Sequence, residues 1–535
     1  MSQIETVEFV FLLLLFFIVV FGIAARKLQI AYPIVMVLGG LVLSFIPAIP
    51  PITLSPDLVF LVVLPPLLYS SAWTTSWRDF RYNIVSISFL AFGLVAFTVI
   101  GVALAAPHVF QGVDWRQGLV LGAIVAPTDA IAATSIARRV GLPGRIVDIL
   151  EGESLVNDAS GLLALEFAIG ILVHQRIPTF SSGMLTFVWL TAGGIAIGLT
   201  VGWIVNRLER WIDYGPIEIA ISILVPFVAY LAAQSVRASG VLAVVSCGLF
   251  LSRRSASFFS PAVRIGAWSV WTSLTFILNG LVFVLIGLQF QSMRTSIRSY
   301  GVWTIVLYGS IFSLMLIVLR LAWVYPGAGL SYWIRRRFLH QHEPAPGGRY
   351  KFVVGWTGMR GVVSLAAALA LPTLLADGSP FPHRNLIICL TFCVILVTLV
   401  LQGLTLPPLI RFLGLAGAAG PDCEELEARR IVTEAAVSHL EDAKLRDADP
   451  ISDVYDDLAN HYRQRLLSIE VGANPGDVTN YARYVELSLE TLRVERETAI
   501  RLRNEGRIND AVLRRLEREL DLSESRLVDS DSFSA

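Results

Sequence analysis

Ala126-Pro-Thr-Asp-Ala130, followed one hairpin later by Glu153-Ser-Leu-Val-Asn-Asp158, is the stretch whose reading decides the fold. Both motifs lie inside apolar segments long enough to cross a bilayer. An ionisable residue at membrane depth costs roughly 2.5–3.5 kcal/mol on insertion scales, so it marks an ion or proton path by default. Three carboxylates stand here, and Asp129 follows a proline that opens the helix backbone. The pattern reads as a cation site inside a membrane transporter.

The rest of the chain agrees with that reading. Of 535 residues, 55% are apolar and 16% charged, and the mean hydropathy is +0.66, which is a membrane composition. The formal net charge of zero hides an asymmetry. From Pro421 onward there are 26 acidic and 16 basic residues, against 16 acidic and 26 basic before it. The spacing of Cys247, Cys389, Cys393 and Cys423 suggests neither a zinc site nor a disulfide framework, so they read as small packing residues. The first apolar run, Val7 to Ala25, has no basic leader and no A-x-A cleavage site, and reads as a retained helix.

Apolar runs near 5–25, 30–47, 56–73, 83–106, 117–138, 152–173, 181–205, 216–236, 238–252, 266–290, 301–325, 352–375 and 385–411 predict thirteen transmembrane helices in an all-α polytopic fold. Basic residues cluster at alternate junctions: Arg26/Lys27, Arg78/Arg81, Arg138/Arg139/Arg145, Arg207/Arg210, Arg253/Arg254, and Arg335 to Arg337 with Arg349/Lys351. The intervening junctions hold few, such as Arg116, Arg176 and Arg384. Positive loops stay inside, so the N-terminus is expected outside and the tail in the cytoplasm. Odd parity then makes runs 1–6 and 8–13 two inverted six-helix repeats joined by run 7. The fifth run of each unit carries helix breakers: Val125-Ala-Pro-Thr-Asp129 in one, Gly355-Trp-Thr-Gly-Met-Arg-Gly361 in the other. Two broken crossing helices at corresponding positions point to the binding site. Residues 1–415 are read as the transmembrane domain and 416–535 as a helical cytoplasmic domain. That tail shows helical stretches near 424–447, 450–470, 477–504 and 508–527, with Leu487, Leu489, Leu492, Ile500 and Leu502 as its packing positions.

Each site residue has a chemical reason. Pro127 cannot donate a backbone hydrogen bond, so carbonyls are freed to coordinate a desolvated cation. Thr128 offers hydroxyl and carbonyl oxygens, and Asp129 sits at the start of the following half-helix. A proline kink with a capping Asp would show the same letters, but an uncompensated buried Asp is too costly for a mere kink. Glu153, Ser154, Asn157 and Asp158 fall at i, i+1, i+4 and i+5 in one stripe of a helix, about 140° wide, all oxygen donors suited to a small hard cation. Asp158 is the candidate for alternating between proton and cation, since desolvation favours its neutral form. Asn157 reads as the partner that holds the crossing helices. Glu153 needs a compensating cation, and Arg320 is the expected partner. Arg360 is then expected beside the half-helix C-terminal carbonyls of its own span. Glu166 is also intramembrane and has no assigned role beyond an outer funnel.

In this order and spacing, Leu64-Pro-Pro-Leu-Leu68, Ala126-Pro-Thr-Asp129, Glu151-Gly-Glu-Ser-Leu-Val-Asn-Asp158, Ser239-Gly-Val-Leu-Ala243, Asn279-Gly-Leu-Val-Phe283, Gly358-Met-Arg-Gly361 and Gln402-Gly-Leu-Thr405 resemble the monovalent cation:proton antiporter-1 family over residues 5–415. The resemblance implies a bacterial inner-membrane homodimer, with a dimer domain and a six-helix core that moves like an elevator. It implies a Na⁺ site made by Thr128, Asp129, Ser154 and Asp158, supported by Glu153, and no cofactor. Na⁺, or Li⁺, is then the transported substrate, and no nucleic acid is a partner. An Asn157-Asp158 pair resembles that of electroneutral exchangers, one proton for one cation. Ser70 and Ser71 follow Tyr69 where many relatives carry an acid, and Gln234 stands where relatives often have Glu; both bear on cation preference. The competing readings are K⁺/H⁺ or mixed-cation exchange, an ion sensor that signals through the tail without transport, and an intramembrane aspartyl protease. The last lacks its Gly-x-Gly-Asp motif in these spans.

Overall fold

The computed structural model describes residues 3–47, 55–174, 179–212, 214–258, 261–341, 344–375, 379–417, 423–446, 452–469, 475–505, 507 and 510–531. Residues 1–418 and 419–535 form two compact units. Among the described residues the secondary structure is helical, apart from one isolated antiparallel bridge between Leu374 and Pro380.

Eight helices of the first unit are long and apolar enough to cross a membrane among the described residues. A ninth crossing results if Trp115–Val125 and Ala130–Val140, bent by 41°, count as one span. This is fewer than the thirteen expected: three of the missing runs form short or divided helices, and Gly240–Phe258, with 19 residues, is made less apolar by Arg253 and Arg254. Tyr32–Leu43 has 12 residues and Leu58–Thr74 is also short. At 1.5 Å per residue a 12-residue helix spans about 18 Å, against about 30 Å of hydrocarbon. The apolar run at 352–375 is divided into Gly348–Trp356 and Val362–Leu369.

Burial sorts these helices into rim and centre. In Phe9–Leu28 only 17% of the most apolar window is covered, and in Ser181–Glu209 only 11%, so Leu12, Phe16, Leu185 and Trp189 face outward. In Arg384–Phe412 the covered share is 72%. Outward apolar faces on that scale suit a lipid solvent.

The break that positions the site is specified at both ends. Asp114 caps the helix Trp115–Val125 by accepting from Gln117 N at 2.9 Å, while the Gln117 side chain accepts from Asp114 N at 3.2 Å. Pro127 then removes a donor, and Asp129 restarts the chain as the cap of Ala130–Val140.

The second unit consists of the helices Cys423–Arg446, Ser452–Ile469, Pro475–Asn504 and Asp510–Asp531. Arg463 to Glu441 (2.6 Å) and Lys444 to Asp456 (2.7 Å) tie the first two; Arg496 to Asp521 (2.6 Å) and Glu524 (2.7 Å) tie the last two. The packing seam departs from the expected one at Leu487. Among the described residues of Pro475–Asn504, Val485 and Ala499, two heptads apart, are buried and Leu489, Leu492, Ile500 and Leu502 are half-buried, whereas Leu487 is 45% exposed. Position 487 is two residues from 485, about 200° around the helix, so it turns to the far side.

Candidate cation site at two crossed helix breaks

Two extended segments meet at the centre of the first unit. One is the break after Val125; the other follows Trp356. The Asp129 backbone N–H donates to Met359 O at 2.8 Å, which joins the breaks directly. The Arg360 N–H donates to Thr398 Oγ1 at 3.2 Å, which anchors the second break to the central helix Arg384–Phe412. These are the backbone groups that a broken helix leaves without ladder partners, and here each finds one. Gly361 has to be glycine because a Cβ there would fall on the Asp129 carboxylate. Likewise a Cβ at Gly161 would enter the Pro127 ring, so Gly161 lets the helix Gly144–His174 lie against the break.

Charge at the half-helix ends is neutralised in opposite senses. Asp129 accepts from Ile131 N at 2.8 Å, placing a carboxylate on the positive N-terminus of Ala130–Val140. Arg360 Nε donates to Val125 O at 3.0 Å, and its Nη1 donates to Gly358 O. The bond to Val125 O adds to the expectation for Arg360. The side chain reaches both breaks: Gly358 O lies just past the end of its own half-helix at Trp356, and Val125 O ends the other broken helix. The guanidinium is 2% exposed.

The helix Gly144–His174 divides its polar residues between two directions. Toward Arg320, Glu153 receives a two-pronged bond, Nη1 to Oε1 at 2.5 Å and Nη2 to Oε2 at 2.9 Å, with both residues 1% exposed. Thr128 Oγ1 donates to Glu153 Oε1 at 2.9 Å, and Asn157 Nδ2 donates to Thr128 Oγ1 at 2.8 Å. Arg320 Nε continues the chain to Val354 O at 3.2 Å. Thus Asn157, Thr128, Glu153 and Arg320 form one buried network across three segments. Toward the other side, Ser154 and Asp158 line a cavity of about 230 Å³ with Thr128 and Asp129. Ser154 Oγ accepts from Ala130 N at 3.3 Å. No described residue hydrogen-bonds to the Asp158 carboxylate, which is 92% buried and faces the cavity.

The donor set is therefore two carboxylates and neutral hydroxyl oxygens. Among the described residues no three His, Cys, Asp or Glu side chains gather as they would around a multivalent metal. Hard oxygen ligands with little net charge suit an alkali cation. The volume leaves room for several waters, at about 30 Å³ each in the liquid.

Sequence reasoning missed some of the lining. Asn279 and Thr275 enter from the helix Pro261–Tyr300, and Ser364 from Val362–Leu369. Ser364 Oγ and both side-chain amide atoms of Gln402 are buried without a partner. A polar residue inside an apolar run is the signal that could have found them. Ser70 lines the cavity too. Glu166 does not: it is exposed, at a second cavity of about 190 Å³ bordered by Ser160, Tyr230 and Gln234.

The family model described as sodium/hydrogen exchanger, transmembrane, matches residues 12–412. An uncharacterized Na⁺/H⁺ exchanger of Mycobacterium tuberculosis is 33% identical over 524 residues, covering 96% of this chain and 94% of the relative. A sodium, potassium, lithium and rubidium/H⁺ antiporter of Bacillus pumilus is 33% identical, covering 82% of this chain and 66% of its own. The sodium proton antiporter MjNhaP1 of Methanocaldococcus jannaschii, solved at pH 8, shares the fold with a TM-score of 0.62 at 20% identity, over 77% of this chain and 100% of that one.

Proposed function

The chain belongs to the sodium/hydrogen exchanger family, and we propose that it exchanges Na⁺ or Li⁺ for H⁺ across a bacterial cell membrane, one for one, with Asp158 as the exchanging carboxylate. Membership makes the chain a transporter rather than an intramembrane protease. The observation that carries the proposal is the unequal treatment of two carboxylates on one helix. Glu153 is held by Arg320, whereas Asp158 faces the cavity with no described donor. A group that must alternate between a proton and a cation has to be free of fixed partners. Asp158 is neutral with a proton and neutral beside a monovalent cation, so each half-cycle moves no net charge through it. Thr128, Asp129 and Ser154 complete the cation's oxygen shell; Pro127, Glu153, Asn157, Arg320 and Arg360 hold the breaks in place.

Alternating access fits the two cavities along the helix Gly144–His174: Ser154 and Asp158 border one, Ser160 and Glu166 the other. An elevator-like shift of a six-helix core would expose Asp158 to each in turn. The proposed arrangement has thirteen crossings. The eight long helices and the first broken pair are joined by Tyr32–Leu43, Leu58–Thr74, Gly240–Phe258 and the second broken pair. Two inverted repeats, an outside N-terminus, a homodimer, a transmembrane domain at 1–415 and a cytoplasmic domain at 416–535 belong to the same proposal.

The test is ion-driven proton movement in proteoliposomes that enclose a pH dye, with Na⁺, Li⁺ and K⁺ added in turn and the potential clamped or free. A Na⁺ response independent of potential is expected. A response that follows potential overturns the one-for-one stoichiometry, and silence with every cation in folded protein overturns exchange. A second reading, mixed exchange that includes K⁺, is favoured by the range of cations in the name of the Bacillus pumilus relative. A K⁺ response equal to that of Na⁺ would select it.

A further inference from the structure

A further cavity of about 360 Å³ lies away from the cation site, among the helices Ile84–Val109, Gly144–His174, Val302–Phe338 and Gly348–Trp356. Its walls are Phe89, Leu90, Ile146, Ile149, Val324 and Val354. Leu90, Leu94 and Val324 form an apolar cluster of their own, separate from the main core. Polar groups in the slot are few, and the Ser86 and Ser331 hydroxyls bond to each other at 2.8 Å, which makes water a poor occupant of its apolar wall. The rim has the opposite character: Arg145, Arg335 and Lys351 border it from three different segments. Arg335 is committed to the protein, with Nε donating to Gln341 Oε1 at 2.5 Å and the guanidinium 5.1 Å from the Tyr82 ring centre. Arg145, which has a partner of its own in the protein, and Lys351 are half-buried at the edge.

We propose that this slot binds an anionic phospholipid, with acyl chain against the Ile149–Val324–Val354 wall and phosphate at Arg145 and Lys351. Apolar depth with a basic rim is complementary to a lipid of that charge, and basic pockets between membrane helices favour such headgroups. Arg145 and Lys351 lie at the junctions whose basic residues place them on the cytoplasmic side, where anionic lipid is exposed. The slot also touches the cation site's frame: Val354, part of its wall, supplies the carbonyl that holds Arg320 Nε at 3.2 Å. An acyl chain there would brace the Arg320–Glu153 fork from behind.

The experiment is native mass spectrometry of the delipidated full chain, titrated with phosphatidylglycerol or with phosphatidylcholine of the same acyl chains. Phosphatidylglycerol should bind about tenfold tighter or more, the effect of one to two basic contacts. In an Arg145→Gln, Lys351→Gln double variant that preference should vanish while phosphatidylcholine retention stays the same. Ala328→Phe, which fills the slot from the Val302–Phe338 side, should lower retention of both lipids about tenfold. Equal retention of the two lipids by the wild type would overturn the proposal, as would a preference that survives the rim variant. Displacement of phosphatidylglycerol by inorganic phosphate alone would overturn it too, by assigning the rim to a free anion. The rim variant decides the matter even if Ala328→Phe fails to fold. Transport is not read in these measurements, so they stand apart from the exchange proposal.

Discussion

The two faces of the helix Gly144–His174 hold carboxylates less than two turns apart, in opposite circumstances. On one face Glu153 is gripped by both Arg320 nitrogens and by Thr128. On the other Asp158 opens onto the cavity, with Asp129 across it and no described donor attached. The difference lies in partners, since both side chains are more than nine-tenths buried. Burial alone therefore does not make a carboxylate a working group. A compensated charge becomes part of the frame, and an uncompensated one beside a cavity remains available to a proton or a cation.

The largest expected effect comes from removing the free member of the comparison. Asp158→Asn should abolish exchange, at least about a hundredfold in proteoliposome flux, while thermal melting stays near wild type. An amide there neither releases a proton nor balances a cation. Exchange that survives would move the working group elsewhere on the helix.

Breaking the compensated member should act on stability instead. Arg320→Ala strands the Glu153 charge, which costs about 3–5 kcal/mol when one partner of a buried pair is lost. Glu153→Gln should destabilise as well, and combining the two should cost less than the sum, because no buried charge is then left unpaired. Thermal unfolding of the three variants checks this; additive losses would show that the two residues do not act as a pair.

A smaller effect is expected at the link between the two faces. Thr128→Val keeps the shape and removes the hydroxyl that accepts from Asn157 and donates to Glu153. Losing a hydrogen-bonded buried hydroxyl costs about 1–3 kcal/mol. Since Thr128 also lines the cavity, the apparent KM for Na⁺ should rise several-fold with it. An unchanged KM with lowered stability would confine Thr128 to the frame. The smallest effect belongs to the second unit. Arg496→Ala removes two exposed ion pairs and should change its melting by no more than about 1 kcal/mol.

Much of the site was legible because charge and backbone breakers are rare in apolar sequence. Pro127, Asp129 and Gly358 to Gly361 stood out against the runs around them, and periodicity placed Ser154 beside Asp158. Arg320 was singled out because Glu153 demands a cation and few lie in apolar runs. The second partner of Arg360, Val125 O, was not legible. It depends on how two breaks cross in space, and nothing in either segment records that crossing. Asn279, Ser364 and Thr398 were hidden for a related reason. Single neutral polar residues are common in membrane helices, and only packing tells which ones face a cavity. The helical segments of the second unit were visible in its polarity and breaks. Its seam was misjudged at Leu487 because apolar residues at successive odd positions do not identify the buried side by themselves.

The claim that one carboxylate serves both ions is tested most directly by proton release. Na⁺ is added to purified, weakly buffered protein in detergent, and the pH change is recorded for wild type and for Asp158→Asn. The account predicts close to one proton released per Na⁺ bound in the wild type and none in the variant. Undiminished release from folded Asp158→Asn protein would contradict it.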